Sequence, residues 1–365
     1  METNDHKKNI RIEQIASWLF ILSIVVVCLI YFSDFLQPIM LAVMVWYFVY
    51  VFRDYFGRVR IRSKPLTKWL RTALAFVFIV RLTFGVIEIV SFNLEKIIER
   101  FPTYVAHSKT MFESIKAIEG FEETKDRLVS RITDFDFRPL LSGLLNGMSG
   151  FAGNILLIII YVGFLLVEEK FFTRKLELTA GAGQKGESVK QIVDQINEAV
   201  KTYVFVKTQM SLLTGFLSYL VLLMFGVDFP VLWAFIIFLL NYIPYIGSLV
   251  ATILPAAFAV FQFQNFSIFI WLFLAIQVVQ FGVGNVLEPK VMGRTLNLSP
   301  LGVLLALTFW GLIWGVLGMI LSVPITSILV IIASQVPRLR FVAVWLSETG
   351  DINGTASESN PERAD

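Results

Sequence analysis

Long apolar runs constrain the fold of this chain more than any other feature. A run over residues 15–32 is followed almost at once by a second over 36–52, and similar runs recur along the sequence. A helix needs about 20 apolar residues to cross the hydrocarbon core of a bilayer. The pattern therefore predicts an all-α, polytopic membrane protein. The candidate spans are 15–32, 36–52, 70–90, 149–167, 209–225 and 266–285.

The composition supports a lipid bilayer as the surrounding medium. Hydrophobic residues make up 56% of the 365 residues and charged residues 16%, whereas a soluble domain averages about 45–50% and about 25%. The formal net charge of +3 gives no reason to expect a nucleic-acid partner. His6 and His107 are the two histidines, and their spacing builds no metal cluster. Because no nucleotide-binding or protease motif is complete, we expect neither a cofactor nor an enzymatic activity.

Two further apolar stretches, 231–260 and 301–333, are too long for one ordinary crossing and are interrupted near the middle. Proline removes a backbone donor and clashes with the preceding helical turn. Each stretch is therefore either one long broken helix or two half-helices folded as a re-entrant hairpin. Counting both, the chain has about eight hydrophobic segments. The interrupting residues are Pro230, Pro244 and Pro255 in the first stretch and Gly311, Gly315, Gly318 and Pro324 in the second.

Basic residues set the expected orientation, because cytoplasmic loops collect Lys and Arg. They are frequent before the first span, after the second span and across 168–208, a segment that includes Lys207. These positions place both termini in the cytoplasm. Lys290 and Arg294 fall on the cytoplasmic side only if both broken stretches are hairpins, so the basic residues favour hairpins.

Four regions follow from this layout. Residues 1–90 hold the first three spans, and 91–148 form an extracytoplasmic segment whose apolar spacing predicts amphipathic helices. Residues 149–347 form the transmembrane transport core with the cytoplasmic loop 168–208. The polar residues 348–365 predict a disordered cytoplasmic tail.

A polar group interrupts the first broken stretch. Pro244 frees backbone carbonyls, Gly247 permits a tight turn, and Asn241 and Ser248 add side-chain donors and acceptors around Tyr245. Non-helical backbone at membrane depth is tolerated only where protein or a water-filled cavity satisfies it. Such breaks form substrate sites in many transporters. We therefore predict that Asn241, Pro244, Tyr245 and Gly247 line a substrate site, against the alternative of a kink satisfied by neighbouring helices.

A second polar group lies near the end of the span 266–285. Gln277, Gln280 and Asn285 share one helical face, and Glu288 follows. Buried amides in lipid need partners, so the group serves either helix–helix hydrogen bonding or solute coordination. Gln280, Asn285 and Glu288 are the predicted substrate-binding residues from this segment.

The second broken stretch is rich in glycine. Gly311, Gly315 and Gly318 allow close helix approach, and Pro324 follows them. Packing is the expected role of each glycine. As a unit, these four residues form a hinge that breaks 301–333 as Pro244 breaks 231–260.

Arg81 lies near the middle of the span 70–90, where a charge costs about 2.5–3.5 kcal/mol on insertion scales. Glu88 is seven residues further on and shares its helix face. Either the two side chains pair within a structural network or they line a solute or proton pathway. With Glu288, they are the candidate coupling residues.

A set of motifs follows in a fixed order along the last 160 residues or so: Asn241-Tyr-Ile-Pro-Tyr-Ile-Gly247, Asn285-Val-Leu-Glu-Pro-Lys-Val-Met-Gly293, Leu298-Ser-Pro300, Trp310-Gly311, Gly315-Val-Leu-Gly-Met319 and Pro324. In these motifs, in Tyr203–Gln209, and in layout over nearly the whole chain, the sequence resembles the AI-2E family, the autoinducer-2 exporter-like or PerM-type permeases. The resemblance implies about eight membrane segments, export of a small signalling molecule, and a homo-oligomer, with a pentamer as the candidate, in the cytoplasmic (inner) membrane of a bacterium. Some members of the family resemble Na⁺(Li⁺)/H⁺ antiporters instead.

Three functional hypotheses remain open on the sequence. The first is a secondary transporter that exports a small polar solute such as autoinducer-2, a quorum-sensing signal. The second is a cation/proton antiporter with Glu288 as the titratable carrier. The third is a non-transporting membrane scaffold that acts through residues 91–148.

Overall fold

A computed structural model describes residues 2–57, 60–61, 64–65, 67–116, 138–180, 184–293 and 297–350. These residues are almost entirely helical, which confirms the all-α prediction. A pair of two-residue antiparallel strands, β1 (Arg60–Ile61) and β2 (Lys64–Pro65), lies between the second and third helices. The helices are α1 (Glu2–Tyr31), α2 (Ser33–Phe56), α3 (Lys68–Lys116), α4 (Arg138–Ala180), α5 (Gln184–Met224), α6 (Pro230–Leu240), α7 (Ile246–Phe263), α8 (Phe266–Phe281), a π-helix (Gly282–Leu287), α9 (Glu288–Met292), α10 (Pro300–Gln335) and α11 (Arg340–Leu346).

Several helices are long and apolar enough to cross a bilayer, as the sequence predicts. By length and composition, six qualify among the described residues, and Leu19–Tyr31 and Pro230–Leu240 form shorter apolar helices. The predicted span 149–167 lies within α4. The chain is therefore a multi-pass membrane protein. The six are Ser33–Arg53, Lys68–Ile97, Gly186–Met224, Ile246–Phe263, Phe266–Met292 and Pro300–Gln335.

The first broken stretch folds back on itself as a helical hairpin. Helix α6 has 11 residues, or about 16 Å of rise, which is too short to cross the hydrocarbon core. The rings of Trp233 on α6 and Phe258 on α7 lie 5.2 Å apart. At the base, Gln262 Nε2 donates to the carbonyl of Gly226 over 2.8 Å. Both ends of the stretch thus lie together, and the sequence alternative of a single crossing is excluded for 231–260.

The second broken stretch is also a hairpin. Gly315 has φ 61° and ψ −140° inside α10, and the chain reverses there. Across the two arms, Trp310 Nε1 donates to Thr326 Oγ1 over 3.1 Å. A Cβ atom added to Gly318 would collide with the carbonyl of Trp310. The glycines therefore serve the predicted close approach, and Gly315 supplies the backbone conformation of the turn.

The described residues divide into two compact units. The first comprises Met1–Met44, Leu157–Phe172 and Leu298–Asp365. In it, Trp314 Nε1 on α10 donates to the carbonyl of Leu29 on α1 over 3.0 Å. Helix α11 packs against the start of the second hairpin. The amide of Ser299, just before α10, donates to the carbonyl of Leu346 at the end of α11 over 2.8 Å.

The second unit comprises Val45–Leu156 and Thr173–Asn297. Its core is apolar and is built by α3, α5, α6, α7 and α8. Fully buried side chains from three of these helices meet there, namely Leu222, Ile237 and Leu272. This core holds the first hairpin against α5 and so positions the polar group at its turn.

Two predicted regions extend beyond the described residues. The amphipathic segment 91–148 begins as a continuation of the third span, because α3 runs unbroken from Lys68 to Lys116. Residues 117–137 of that segment lie outside the described part of the chain, as do residues 351–365 of the predicted tail.

Candidate transport site

Helix α5 carries a buried polar face. Its polar side chains recur every three or four residues, which places them on one side of a helix. The N-terminal part of this face falls within residues 168–208, which the basic residues predict to be a cytoplasmic loop. The structure instead buries Lys207, whose side chain is 8% exposed. The buried polar residues of the face are Tyr203, Lys207, Ser211, Thr214 and Ser218.

The turn of the first hairpin docks on this face. Asn241 Nδ2 donates to Ser211 Oγ over 3.2 Å, and both residues are buried. Next to it, Tyr242 Oη donates to Thr208 Oγ1 over 2.8 Å. Gly215 allows the close approach, because a Cβ atom there would lie 3.1 Å from the carbonyl oxygen of Ala234. Polar side chains thus fix the hairpin turn on α5.

The backbone of the turn is largely satisfied within itself. The carbonyl of Pro244 accepts from the amide of Ile246 over 2.7 Å. The carbonyl of Tyr245 accepts from Ser248 Oγ over 2.9 Å. Tyr245 has φ 60° and ψ −62° and is 56% exposed. These two carbonyls therefore already accept hydrogen bonds within the turn. Any contact of the turn with a solute is expected to come from its side chains.

The four predicted residues of this turn have different surroundings. Asn241 and Gly247 are buried, Pro244 is half-buried and Tyr245 is exposed. Gly247 packs directly on the carbonyl of Leu240, where a Cβ atom would collide. Gly247 therefore closes the turn, and Asn241 is the one of the four whose side chain bonds to the polar face of α5.

The second predicted group lies on α8, the π-helix and α9. Pro289 has no N–H to continue the α-helical ladder, and the six residues before Glu288 form the π-helix. Single π turns inside α-helices are frequent at functional sites. Gln280 is buried, and its Nε2 finds no hydrogen-bond partner in the part of the chain that the structure describes. Asn285 lies in the π-helix and is exposed.

Glu288 forms a buried ion pair with Lys207. The distance from Lys207 Nζ to Glu288 Oε1 is 2.7 Å, and the side chains are 8% and 16% exposed. Asn241 and Glu288 thus bond to residues of α5 that are four positions, or about 6 Å, apart. The structure brings these two predicted residues to one stretch of helix.

The remaining predicted residues lie elsewhere. Gly318 and Pro324 are buried in the second hairpin, where Gly311 is half-buried and Gly315 is exposed. On α3, the coupling candidates Arg81 and Glu88 are both exposed.

Sequence reasoning missed three partners on α5. The side chain of Glu288 bonds to Lys207, that of Tyr242 to Thr208 and that of Asn241 to Ser211. Lys207 ended the apolar run, so the span was predicted to begin at 209. The spacing of polar residues from Tyr203 to Ser218 was the signal that could have identified this face.

Comparison with known proteins agrees with this architecture. A family model described as AI-2E family transporter matches residues 19–338. A putative transport protein of Borreliella burgdorferi is 33% identical over 64% of this chain and 66% of its own length. The AI-2 transport protein TqsA of Escherichia coli K12 is 31% identical over 70% and 74%, respectively. A putative transport protein of Haemophilus influenzae is 29% identical over 79% and 84%.

The match covers most of the chain, including both hairpins, α5 and the π-helix. The sequence prediction of the family is thereby confirmed, as is the expectation that the chain is not an enzyme. This multi-pass membrane protein belongs to the AI-2E family of transporters.

Proposed function

We propose that this protein is a secondary transporter that exports a small polar solute, of the autoinducer-2 type, across the inner membrane of a bacterium. The relative TqsA is named for transport of this signal. We propose cytoplasmic termini because the basic residues favour that orientation, and we propose a homo-oligomer, with a pentamer as the candidate, from the family resemblance alone.

The buried polar face of α5 is the observation that carries the proposal. Three buried polar atoms on or beside this face have no hydrogen-bond partner among the described residues: Tyr203 Oη, Ser218 Oγ and Gln280 Nε2. A buried polar group without a partner costs about 1–3 kcal/mol. A polar solute with hydroxyl or carbonyl groups would satisfy such donors, so their presence supports a polar cargo over an apolar one.

Substrate binding is assigned to the side chains around this face. Asn241 and Gln280 supply amides, Glu288 a carboxylate, and Ser211 and Ser218 supply hydroxyls. Pro244, Tyr245, Gly247 and Asn285, which the sequence predicts as substrate-binding residues, are proposed to complete the lining of the site. The second hairpin, with Gly311, Gly315, Gly318 and Pro324, is proposed as the hinge.

Measurement of the signal outside and inside the cells tests this proposal. Deletion and complemented strains that produce the autoinducer are compared at equal growth for signal outside and inside the cells. Export predicts less extracellular and more intracellular signal in the deletion strain, and recovery on complementation. Equal levels in both compartments would remove the proposal.

A second candidate is exchange of a monovalent cation for a proton. Glu288 favours it, because this carboxylate is largely buried and paired with a basic side chain, as ionisable residues in transport pathways are. In liposomes containing the purified protein, Na⁺ addition should then move protons, reported by an internal pH dye. No response to Na⁺ or Li⁺ would exclude this candidate. The scaffold hypothesis does not fit a family of transporters.

A further inference from the structure

Two buried polar side chains lie unpaired where the first hairpin packs on α5. Trp233 on α6 is 4% exposed, and Ser218 on α5 is fully buried. In the part of the chain that the structure describes, neither Trp233 Nε1 nor Ser218 Oγ has a hydrogen-bond partner. A buried indole N–H or hydroxyl usually finds one. Each exception therefore calls for an explanation, above all at membrane depth, where bulk water does not satisfy it.

The tryptophans of the second hairpin, in contrast, are paired. Trp310 Nε1 donates to Thr326 Oγ1 over 3.1 Å, and Trp314 Nε1 donates to the carbonyl of Leu29 over 3.0 Å. Both residues are buried, as Trp233 is. The fold thus provides acceptors for buried indoles in one hairpin and leaves one indole without an acceptor in the other.

Ser218 and Trp233 lie at the same level of two packed helices. A Cβ atom on Gly215 would lie 3.1 Å from the carbonyl oxygen of Ala234, so α5 and α6 approach closely at this point. Ser218 is three residues after Gly215, and Trp233 directly precedes Ala234. The two helices run in opposite directions, because Ser211 meets Asn241 while Gly215 meets Ala234. Both unpaired groups therefore lie within one helical turn of the same close approach.

The docked turn of the hairpin separates this level from another unpaired group. The turn is fixed on α5 at Thr208 and Ser211. Tyr203, whose buried hydroxyl also lacks a partner among the described residues, lies five residues before Thr208. Ser218 lies seven residues after Ser211, or about 10 Å further along the helix axis. Unpaired polar atoms thus occur on both sides of the turn.

The hairpin is secured at its two ends without Ser218 or Trp233. At its foot, Gln262 Oε1 accepts from the amide of Asp228 over 2.8 Å, and Gln262 Nε2 donates to the carbonyl of Gly226. At its turn, the side-chain bonds to α5 described above hold it in place. The unpaired hydroxyl and indole lie between these two secured ends, so they are not needed to fix the hairpin.

We propose that Ser218 and Trp233 form a second subsite for the transported solute, the foot-side subsite, between the docked turn and the foot of the hairpin. This inference rests on the proposed export function and adds Trp233 as a specificity-determining residue. An indole N–H only donates, so it selects a hydroxyl or carbonyl oxygen. The ring of Phe258 lies 5.2 Å from that of Trp233. This apolar wall suits a neutral polar solute better than an ion.

Ser218→Ala is the decisive variant, because it removes one unpaired hydroxyl and preserves the packing. Liposomes containing the full-length protein are loaded with a series of autoinducer-2 concentrations, and the KM of efflux is measured. Loss of one hydrogen bond should raise this KM about fivefold. The thermal unfolding midpoint should stay at or above that of wild type, because no internal bond is lost. Ser267→Ala, at an exposed position on α8, is the control and should keep the wild-type KM.

Trp233→Phe tests the indole N–H. The smaller ring lowers the thermal midpoint through lost packing, so the KM of efflux is the informative measurement. It should rise about fivefold, as for the loss of the serine hydroxyl. Trp271→Phe is the matched control, because Trp271 on α8 is 65% exposed. This control should keep the wild-type KM.

The wild-type KM in either Ser218→Ala or Trp233→Phe would overturn the foot-side subsite. A lower thermal midpoint in Ser218→Ala would also overturn it, because the hydroxyl would then have a structural role. If wild type releases autoinducer-2 while these variants keep its KM, the proposed export stands and the subsite is wrong. If wild type releases none, both proposals are wrong.

Discussion

At the scale of single residues, Asn241 is the predicted site residue with the most informative contact. Its buried amide donates to Ser211 Oγ across the junction of the hairpin turn and α5. Removal of one partner leaves the other buried without its bond, which costs about 1–3 kcal/mol. We predict that Asn241→Ala lowers the thermal unfolding midpoint of the detergent-purified protein and weakens transport.

Thr308→Ala is the matched control for this substitution. Thr308 is exposed on α10, and its hydroxyl donates only to the carbonyl of its own helix at Leu304. Substitutions of this kind usually stay within about 0.5 kcal/mol. Ser211→Ala should lower stability as Asn241→Ala does, and the double variant should cost less than the sum. An additive double variant would contradict the contact.

At the scale of structural elements, the two hairpin turns depend on glycine for space. A Cβ atom at Gly247 or Gly318 would collide with the carbonyl of Leu240 or Trp310, respectively. Because backbone cannot yield as a side chain tip does, overpacking should cost at least about 1–3 kcal/mol. Gly247→Ala and Gly318→Ala should each reduce the yield of monodisperse protein. Wild-type yield and thermal stability in both variants would show that the turns are more open.

The π-helix offers the opposite case. The Cβ atom of an alanine at Gly284 would have no described atom within 4 Å, and alanine gains about 1 kcal/mol of helix propensity over glycine. We therefore predict that Gly284→Ala folds at least as well as wild type but slows Na⁺-driven proton movement, because the stiffer segment moves Glu288 less readily. An unchanged rate with unchanged stability would argue that this segment stays fixed during transport.

At Gly315, glycine is needed for the backbone conformation and not for lack of room around a side chain. Its surroundings are open, yet φ is 61° and ψ is −140°, a combination that costs a residue with a side chain about 1–3 kcal/mol. Gly315→Ala should thus lower the thermal midpoint although nothing collides. If the midpoint is unchanged, the reversal at this position does not need glycine.

The elements were the part of the fold that the sequence predicted best. Apolar runs identified the long helices. Pro244 marked the reversal in 231–260, and the group Gly311, Gly315, Gly318 and Pro324 marked the break in 301–333, within which the structure identifies Gly315 as the turn. The contacts within the hairpins could not be predicted from the sequence, because they join residues such as Trp233 and Phe258 that lie far apart along the chain. Lys207 was misplaced because a charge ends an apolar run whether it faces water or a buried partner.

At the scale of the whole molecule, the two hairpins lead to a specific topology. We predict a topology with five crossings before the first hairpin, one between the hairpins and both termini in the cytoplasm. In this topology Lys290 faces the cytoplasm. Lys290→Cys in a Cys28→Ser background should react with a membrane-impermeant maleimide only after the cells are opened. Labelling of intact spheroplasts would contradict this topology.

Purified protein in liposomes loaded with autoinducer-2 gives the most direct test of the central claim, that the polar face of α5 and the hairpin turn form the route of a polar solute. We predict signal efflux with wild type and with Thr308→Ala, and efflux near that of protein-free liposomes with Asn241→Ala at equal reconstituted amounts. Efflux from Asn241→Ala at the wild-type rate, or none from wild type, would contradict the claim.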